Sequence, residues 1–142
     1  MTRGVGGSNA AAQLADLARW PRPAASITRE ERLARLDRAR ELMIANSVDA
    51  LLIGAGGSLR YFAGVPWGAS ERLVAMLLPR EGDPIVICPA FELGTLRADL
   101  AVNADVRLWE EDESPSMLVA DALRQLGATK VAVDPAMAFT MV

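Results

Sequence analysis

The chain has 142 residues and a formal net charge of −3, with 51% hydrophobic and 23% charged residues, which is typical of one globular domain. No apolar run approaches the ~20 residues that a bilayer-spanning helix needs, so we expect no membrane contact. The slightly acidic balance argues against a dedicated nucleic-acid-binding protein.

The chain contains no histidine and a single cysteine, Cys88. These counts exclude a Ser-His-Asp triad, a Cys-His pair, a histidine-ligated zinc and a disulfide within the chain. Cys88 follows the apolar run Ile85-Val86-Ile87, which favours a buried strand residue over a nucleophile. The lack of disulfides is typical of a cytoplasmic protein.

Residues 1–26 form an N-terminal arm that differs from the rest of the chain. Its Gly-rich start predicts disorder, and Ala10–Trp20 predicts a short helix that ends before Pro21 and Pro23. No signal-peptide apolar segment follows Arg3. The arm packs either on its own domain or on a neighbour.

The domain proper is predicted over residues 27–142. Thr28 and Glu31 form a capping box that begins an amphipathic helix, with a Glu31–Arg35 ion pair and Asn46 as C-cap. The charged face of this helix predicts a solvated surface. The apolar residues at helical spacing are Leu33, Leu36, Ala39 and Met43.

A short apolar run, Ala50–Ile53, predicts a buried strand. The glycines of 54–57 follow it as a tight turn; a phosphate cradle is the alternative, but GxGxxG is absent. A short helix over Ser58–Phe62 is expected next, capped by Ser58 and ended by Gly64.

The remaining elements alternate between strands and helices. Leu73–Leu78 and Pro84–Cys88 predict an antiparallel hairpin. The later elements are a helix from Pro89 to about Leu100, a strand over Val106–Trp109, a helix from Ser114-Pro115 to Gly127 and a strand over Lys130–Val133. This order predicts an α/β fold, a three-layer α/β/α arrangement with a mixed sheet of five to six strands. The apolar end, Ala136–Val142, suggests a truncated chain.

Two segments carry candidate chemistry. The acidic run Glu110–Glu113 fits either a divalent-cation site or a solvated loop before a helix, and we favour the loop. In the segment after the aromatic pair Tyr61-Phe62, Trp67 is either a lid or a partner contact. Arg72 suits a carboxylate ligand, with a local ion pair to Glu71 as the alternative.

The order of these motifs resembles the N-terminal domain of the creatinase/prolidase/aminopeptidase P family of metallopeptidases. The resemblance covers about residues 28–134 and rests on Asp49–Ile53, Leu59–Gly64, Ser70–Arg72 and Pro79–Pro84. It implies a small α/β/α domain that precedes a catalytic domain absent from this chain. That domain would hold two divalent metal ions (Mn, Co or Zn), so we expect no catalytic residue, cofactor or metal site here.

The resemblance also implies partners and site residues. Relatives form homodimers or higher oligomers in which this domain packs beside the catalytic domain and leans over the partner subunit's active site. Counted from Gly64, the carboxylate-binding arginine of creatinases falls on Arg72, and their nearby aromatic falls on Ser70, which departs from that pattern. Trp67 matches the loop aromatic of the Xaa-Pro peptidases. We therefore expect Arg72, Trp67 and Ser70 to line a partner-subunit pocket.

These expectations combine into one functional hypothesis. The chain is the non-catalytic N-terminal domain of a dinuclear metal-dependent Xaa-Pro peptidase, of aminopeptidase P or prolidase type, serving oligomerisation and substrate-pocket shaping. The alternatives are the same domain of a creatinase-like hydrolase or lyase, or a stand-alone binding module.

Overall fold

The computed structural model describes residues 7–17 and 24–137, which form one mixed five-stranded sheet flanked by helices. The helices are α1 (Ala10–Ala15), α2 (Arg29–Ala45), α3 (Gly57–Ala63), α4 (Leu93–Asp99) and α5 (Pro115–Gln125). The strands are β1 (Ala50–Gly54), β2 (Ala75–Pro79), β3 (Ile85–Pro89), β4 (Asp105–Trp109) and β5 (Val131–Val133). No helix in the described ranges is long and apolar enough to cross a bilayer.

The sheet has the strand order β4-β3-β2-β1-β5. Its centre is antiparallel, because β2 pairs with both β1 and β3 in that sense. Its two outer strands are parallel to their neighbours, β4 to β3 and β5 to β1. The predicted hairpin and the predicted mixed α/β sheet are both confirmed.

Helices cover both faces of the sheet. On one face, α2, α3 and α4 contribute Leu36, Leu59 and Leu96 to a core cluster that includes Met76 and Val86 of the central hairpin. On the other face, the core cluster is completed by Val119 and Ala122 of α5. Each residue of β2 and β3 is buried, which explains why both strands have continuous apolar sequences rather than alternating ones.

Several predicted boundaries are confirmed. Thr28 Oγ1 accepts a hydrogen bond from the Glu31 N–H at 3.1 Å, and α2 ends at the C-cap Asn46. The Glu31–Arg35 ion pair forms at 2.7 Å. Gly64 ends α3 in the left-handed region, with φ of 91°.

Other boundaries differ from prediction. Ser58 does not cap α3, because the helix begins at Gly57 and its N-cap is Gly56. The helix expected from Pro89 is a 3-10 turn over Ala90–Glu92 followed by α4. β2 begins at Ala75, two residues later than predicted, because Leu73 and Val74 come before the first residue that pairs with β1.

Helix α1 covers only the first part of the predicted arm helix, and residues 18–20 lie outside the described ranges. No residue of α1 is buried, and Leu14 and Leu17 are exposed.

A carboxylate joins the start of β1 to the start of β5. Asp49 accepts hydrogen bonds from the backbone N–H groups of Lys130 and Thr129 at 2.8 and 2.9 Å, and from the Thr129 hydroxyl at 2.9 Å. These hydrogen bonds lower the pKa of Asp49 to about 2, and the one from the Lys130 N–H has the largest effect. The nearby Arg80 guanidinium contributes a smaller part of this lowering of the pKa.

This lowered pKa predicts a pH-dependent contribution to stability. Because the folded state holds Asp49 ionised more strongly than the unfolded state, its contribution is complete above about pH 4 and is lost as the pH falls towards 2. Asp49→Asn should therefore lower the free energy of unfolding at pH 7 and flatten its decline between about pH 4 and 2. Urea denaturation across this range measures both effects. Asp83→Asn, in the exposed β2–β3 turn, is the control, and equal slopes for Asp49→Asn and the parent chain would contradict the assignment.

Candidate functional site

The candidate segment begins at the C-terminal end of α3, whose carbonyl groups are bound by arginines of α2. Arg32 Nη1 donates to the carbonyls of Arg60 and Tyr61 at 2.6 and 3.2 Å, and Arg35 Nη1 donates to Tyr61 O at 2.9 Å. Cationic donors suit this position because the last carbonyls of a helix lack intrahelical partners and carry partial negative charge.

The prediction that the charged face of α2 is solvated is wrong for Arg32, which is only 9% exposed. The residue lies four positions before Leu36, on the face of α2 that meets α3. The α3 carbonyls satisfy Nη1 of this buried guanidinium, whereas its Nε has no hydrogen-bond partner among the described residues. The i, i+4 spacing between Arg32 and Leu36 is the sequence signal that places Arg32 on the buried face of α2.

Gly64 turns the chain from α3 into the loop that carries the predicted site residues. Besides the positive φ, a Cβ at this position would lie 2.8 Å from Ala101 Cβ and 3.4 Å from Arg32 Cζ. The backbone N–H of Ala101 donates to Ala63 O at 2.9 Å, which holds the two segments together. Glycine is therefore required both for the turn and for the close approach.

Trp67 is half-buried and belongs to the packing of the domain. Its ring packs against the core cluster beneath α2, α3 and α4, and Nε1 donates to Asp99 Oδ2 at 2.9 Å. Asp99 is the last residue of α4, so this hydrogen bond fixes the loop to that helix. Trp67 therefore lies in the loop as predicted, but it is tied down within its own domain.

Ser70 and Arg72 lie together in a small turn. The Arg72 backbone N–H donates to Ser70 Oγ at 3.2 Å, and this hydroxyl donates in turn to Arg72 O at the same distance. Ser70 thus shapes the backbone from which the Arg72 side chain projects. The structure brings these two predicted residues together, whereas Trp67 is bound to a different element.

The Arg72 guanidinium is 44% exposed and already has acidic partners. Its Nε donates to Glu111 Oε1 at 2.7 Å and its Nη1 to Glu71 Oε1 at 3.2 Å, so the local ion pair forms. The hydrogen bond and charge of Glu111, followed by the charges of Glu71 and Glu92, raise the pKa of Arg72 above its usual value. A carboxylate ligand would therefore compete with Glu111 for binding to this guanidinium.

An exposed aromatic side chain lies beside this ion pair. Arg72 Cζ is 5.5 Å from the centroid of the Phe91 ring, within cation–π range. Phe91 was not predicted to belong to the site, and Glu111 was considered only as part of the acidic run. They come from the 3-10 turn after β3 and the loop after β4. Two pairings place them near Arg72: the parallel pairing of β3 with β4, and the antiparallel pairing of β3 with β2, the strand that Arg72 precedes.

The cavity at Arg72 is too small for a substrate. It has a volume of about 10 Å³ and is lined by side chains and backbone of Gly54, Ala69, Val74 and Met137 as well as Arg72. A space of this size holds one water molecule at most. A substrate pocket at Arg72 would therefore need walls from another domain or subunit.

Two of the four carboxylates of the acidic run are used within the fold. Glu111 pairs with Arg72, and Glu113 Oε2 accepts a hydrogen bond from the Glu110 N–H at 2.8 Å. In residues 7–17 and 24–137, no group of three or more potential ligands gathers in metal-binding geometry.

Cys88 is fully buried in β3, as predicted. Burial, with a smaller effect from Glu92, raises the pKa of its thiol to about 11. A thiol with this pKa is protonated at neutral pH and does not act as a nucleophile.

The geometry at Gly64 predicts a large difference between two glycines of the same loop. Gly64→Ala should lower the free energy of unfolding by about 1–3 kcal/mol, because a side chain strains the left-handed backbone and meets Ala101. Gly68→Ala, where the added Cβ meets open space, should change it by less than about 0.5 kcal/mol. Chemical denaturation of the three proteins measures both values, and equal losses in the two variants would refute the requirement for glycine at 64.

Comparison with known proteins places this geometry in a family. Residues 35–142 match the model described as the Creatinase/Prolidase N-terminal domain. The chain is 33% identical over 93 residues to the "Probable dipeptidase PepE" of Mycobacterium tuberculosis, covering 60% of this chain and 25% of that protein. It is 27% identical over 90 residues to the "Xaa-Pro dipeptidase" of Lactobacillus helveticus, covering 63% and 24%. The chain thus spans about a quarter of the length of these curated relatives.

Solved structures agree with this placement. Dipeptidase PepE from Mycobacterium ulcerans superposes with a TM-score of 0.68 at 28% identity, covering 81% of this chain and 31% of that one. The N-terminal domain of an Xaa-Pro dipeptidase from Lactobacillus brevis shares the fold, with a TM-score of 0.67 at 17% identity, covering 75% of this chain and 81% of that one. The family match covers all five described strands and every described helix except α1 and the start of α2, and the chain therefore belongs to the Creatinase/Prolidase N-terminal domain family.

Proposed function

We propose that this chain is the non-catalytic N-terminal domain of a dinuclear metal-dependent Xaa-Pro peptidase of the prolidase or aminopeptidase P type. The observation that carries the proposal is the family match over residues 35–142, joined to relatives named as dipeptidases and Xaa-Pro dipeptidases. In this proposal the protein acts in the cytoplasm, and a separate catalytic domain holds the two metal ions, Mn, Co or Zn.

The chemistry of the described residues supports a non-catalytic role. Hydrolysis by a dinuclear site needs several carboxylate or imidazole ligands around two metal ions. This chain has no histidine, and its described carboxylates gather in no such group, so the implied ions do not fit here. The proposed contribution of this domain is oligomerisation and the shaping of a pocket that another subunit or its own catalytic domain completes.

The surroundings of Arg72 support the pocket-shaping part. Arg72 is exposed, lies beside the aromatic ring of Phe91, and borders a cavity too small to hold a substrate without additional walls. In the proposed role, Arg72 binds the carboxylate of a substrate held by the catalytic domain. Ser70 sets its backbone, and Trp67 holds the loop to α4.

Two other functions remain as alternatives. A creatinase-like hydrolase or lyase would use the same scaffold, but Ser70 stands where the resemblance places an aromatic residue in creatinases. A stand-alone binding module would need a ligand site within this chain. Reading the native gene beyond Val142 distinguishes these functions, because metal ligands there favour a hydrolase and a stop codon there favours a stand-alone module.

The first test is activity of the chain by itself. The purified 142-residue protein should hydrolyse no Xaa-Pro dipeptide or longer Xaa-Pro peptide, with or without added Mn²⁺, Co²⁺ or Zn²⁺. The physical reason is the lack of a ligand set for two metal ions in its described residues. Proline release measured by chromatography gives the readout. Metal-dependent turnover that co-purifies with the chain through several columns would contradict the proposal.

The second test concerns Arg72 in an enzyme that carries this sequence as its N-terminal domain. Arg72→Ala should raise KM for a free-acid substrate by about fivefold, the upper range for exposed ion pairs, with little change in kcat. The reason is that the charge of this carboxylate does not change during hydrolysis, so the guanidinium binds it about equally in the ground and transition states. Glu111→Gln, which removes the competing carboxylate, should lower KM.

For a substrate whose carboxylate is amidated, neither Arg72→Ala nor Glu111→Gln should change KM. Arg38→Ala is the matched control, because Arg38 is an exposed arginine paired with Glu41 on α2. Equal losses for the free acid and the amide would assign Arg72 a purely structural role.

A further inference from the structure

Strand β4 lies at one edge of the sheet that the described residues form, and one side of its backbone faces outwards. The Asp105 N–H donates to Pro84 O at 2.9 Å, so the backbone of Asp105 faces β3. Because backbone groups alternate along a strand, those of Val106 and Leu108 face outwards. Among the described residues, no strand pairs with this outer side, and Leu108 is 37% exposed.

The side chains of β4 carry opposite charges on one face. Asp105 and Arg107 lie opposite Ile85 and Ile87, which belong to the core cluster on the α5 side, so both charged residues are on that side. They form an ion pair with each other at 3.0 Å, in which Asp105 remains more than half exposed. Val106 packs on the opposite face.

We propose that two copies of this chain associate through β4, antiparallel and centred on Val106, to form one sheet across the dimer. In this register, each Asp105 lies opposite Arg107 of the partner subunit, and Val106 lies opposite its own copy. Val106 then exchanges both N–H and C=O hydrogen bonds with its copy, because its backbone groups face outwards. Opposite charges in directly facing positions stabilise an antiparallel pair.

Neighbouring registers are less favourable. Centring on Arg107 places the two arginines opposite each other, where like charges destabilise the pair. Centring on Leu108 brings Asp105 opposite Glu111, again two like charges. Charge complementarity therefore selects the Val106 register.

The opposite edge of the sheet is a weaker candidate. Strand β5 has three residues, Val131–Val133, and no charged side chain that would set a register. A five-residue edge is itself a small interface, so we expect a dimer that dissociates in the micromolar to millimolar range.

This inference specifies the oligomerisation part of the proposed function and does not depend on the reaction catalysed. Two single variants of the full 142-residue chain test it, Arg107→Asp and Asp105→Arg. Each should weaken self-association by about tenfold or more, because each places like charges opposite each other in the dimer. An equimolar mixture of the two variants should restore association, since each acidic edge then faces a basic one. Sedimentation velocity over a range of concentrations measures all four samples.

The control pair is Arg38→Asp and Glu41→Arg, which makes the same changes in net charge on an exposed ion pair of α2. These variants should associate like the parent chain. Recovery of association on mixing also shows that both β4 variants are folded, and circular dichroism checks each alone.

Three outcomes would overturn the inference: a parent chain that stays monomeric at millimolar concentration, a dimer insensitive to the β4 charges, or failure of the mixture to recover. A dimer insensitive to these charges would reject the β4 edge while leaving the proposed oligomerisation in place. A monomeric parent chain would reject self-association by this chain, and the peptidase assignment would still rest on its own activity tests.

Discussion

Burial of the central hairpin on both faces is the constraint on which the rest of the structure depends. The backbone groups of β2 must find partners in β1 and β3, and their side chains need apolar cover above and below. Helices α2, α3 and α4 supply that cover on one side and α5 on the other. The connections between these helices and the sheet then fix where each loop begins and ends.

The position of the candidate loop follows from how α3 ends. A helix of seven residues leaves most of its terminal carbonyls without internal partners, and Arg32 and Arg35 of α2 supply the donors. The close approach of Gly64 to Ala101 and the Trp67–Asp99 hydrogen bond then fasten the loop to α4. Packing between helices therefore sets where the loop starts, and the Ser70 turn shapes the backbone from which Arg72 projects.

Electrostatics at Arg72 limit what this domain does without a partner. Glu71 and Glu111 neutralise the guanidinium, and Glu92 adds further negative charge nearby. An anionic ligand gains affinity there only where a second surface excludes water or displaces Glu111, since exposed ion pairs in water are weak. This is the physical reason for placing substrate recognition at a junction between domains or subunits.

The sequence by itself determined the elements whose signals are local. The Thr28 cap, the Gly64 stop, the apolar runs of the central hairpin and the burial of Cys88 depend on neighbours within a few residues, and these were predictable. The order of motifs was also sufficient to identify the family. The tertiary structure alone decided which carbonyls Arg32 binds, the tethering of Trp67 to Asp99 and the pairing of Arg72 with Glu111. These contacts join residues about 30 to 40 positions apart, and no periodicity or spacing encodes which distant groups meet once the sheet has formed.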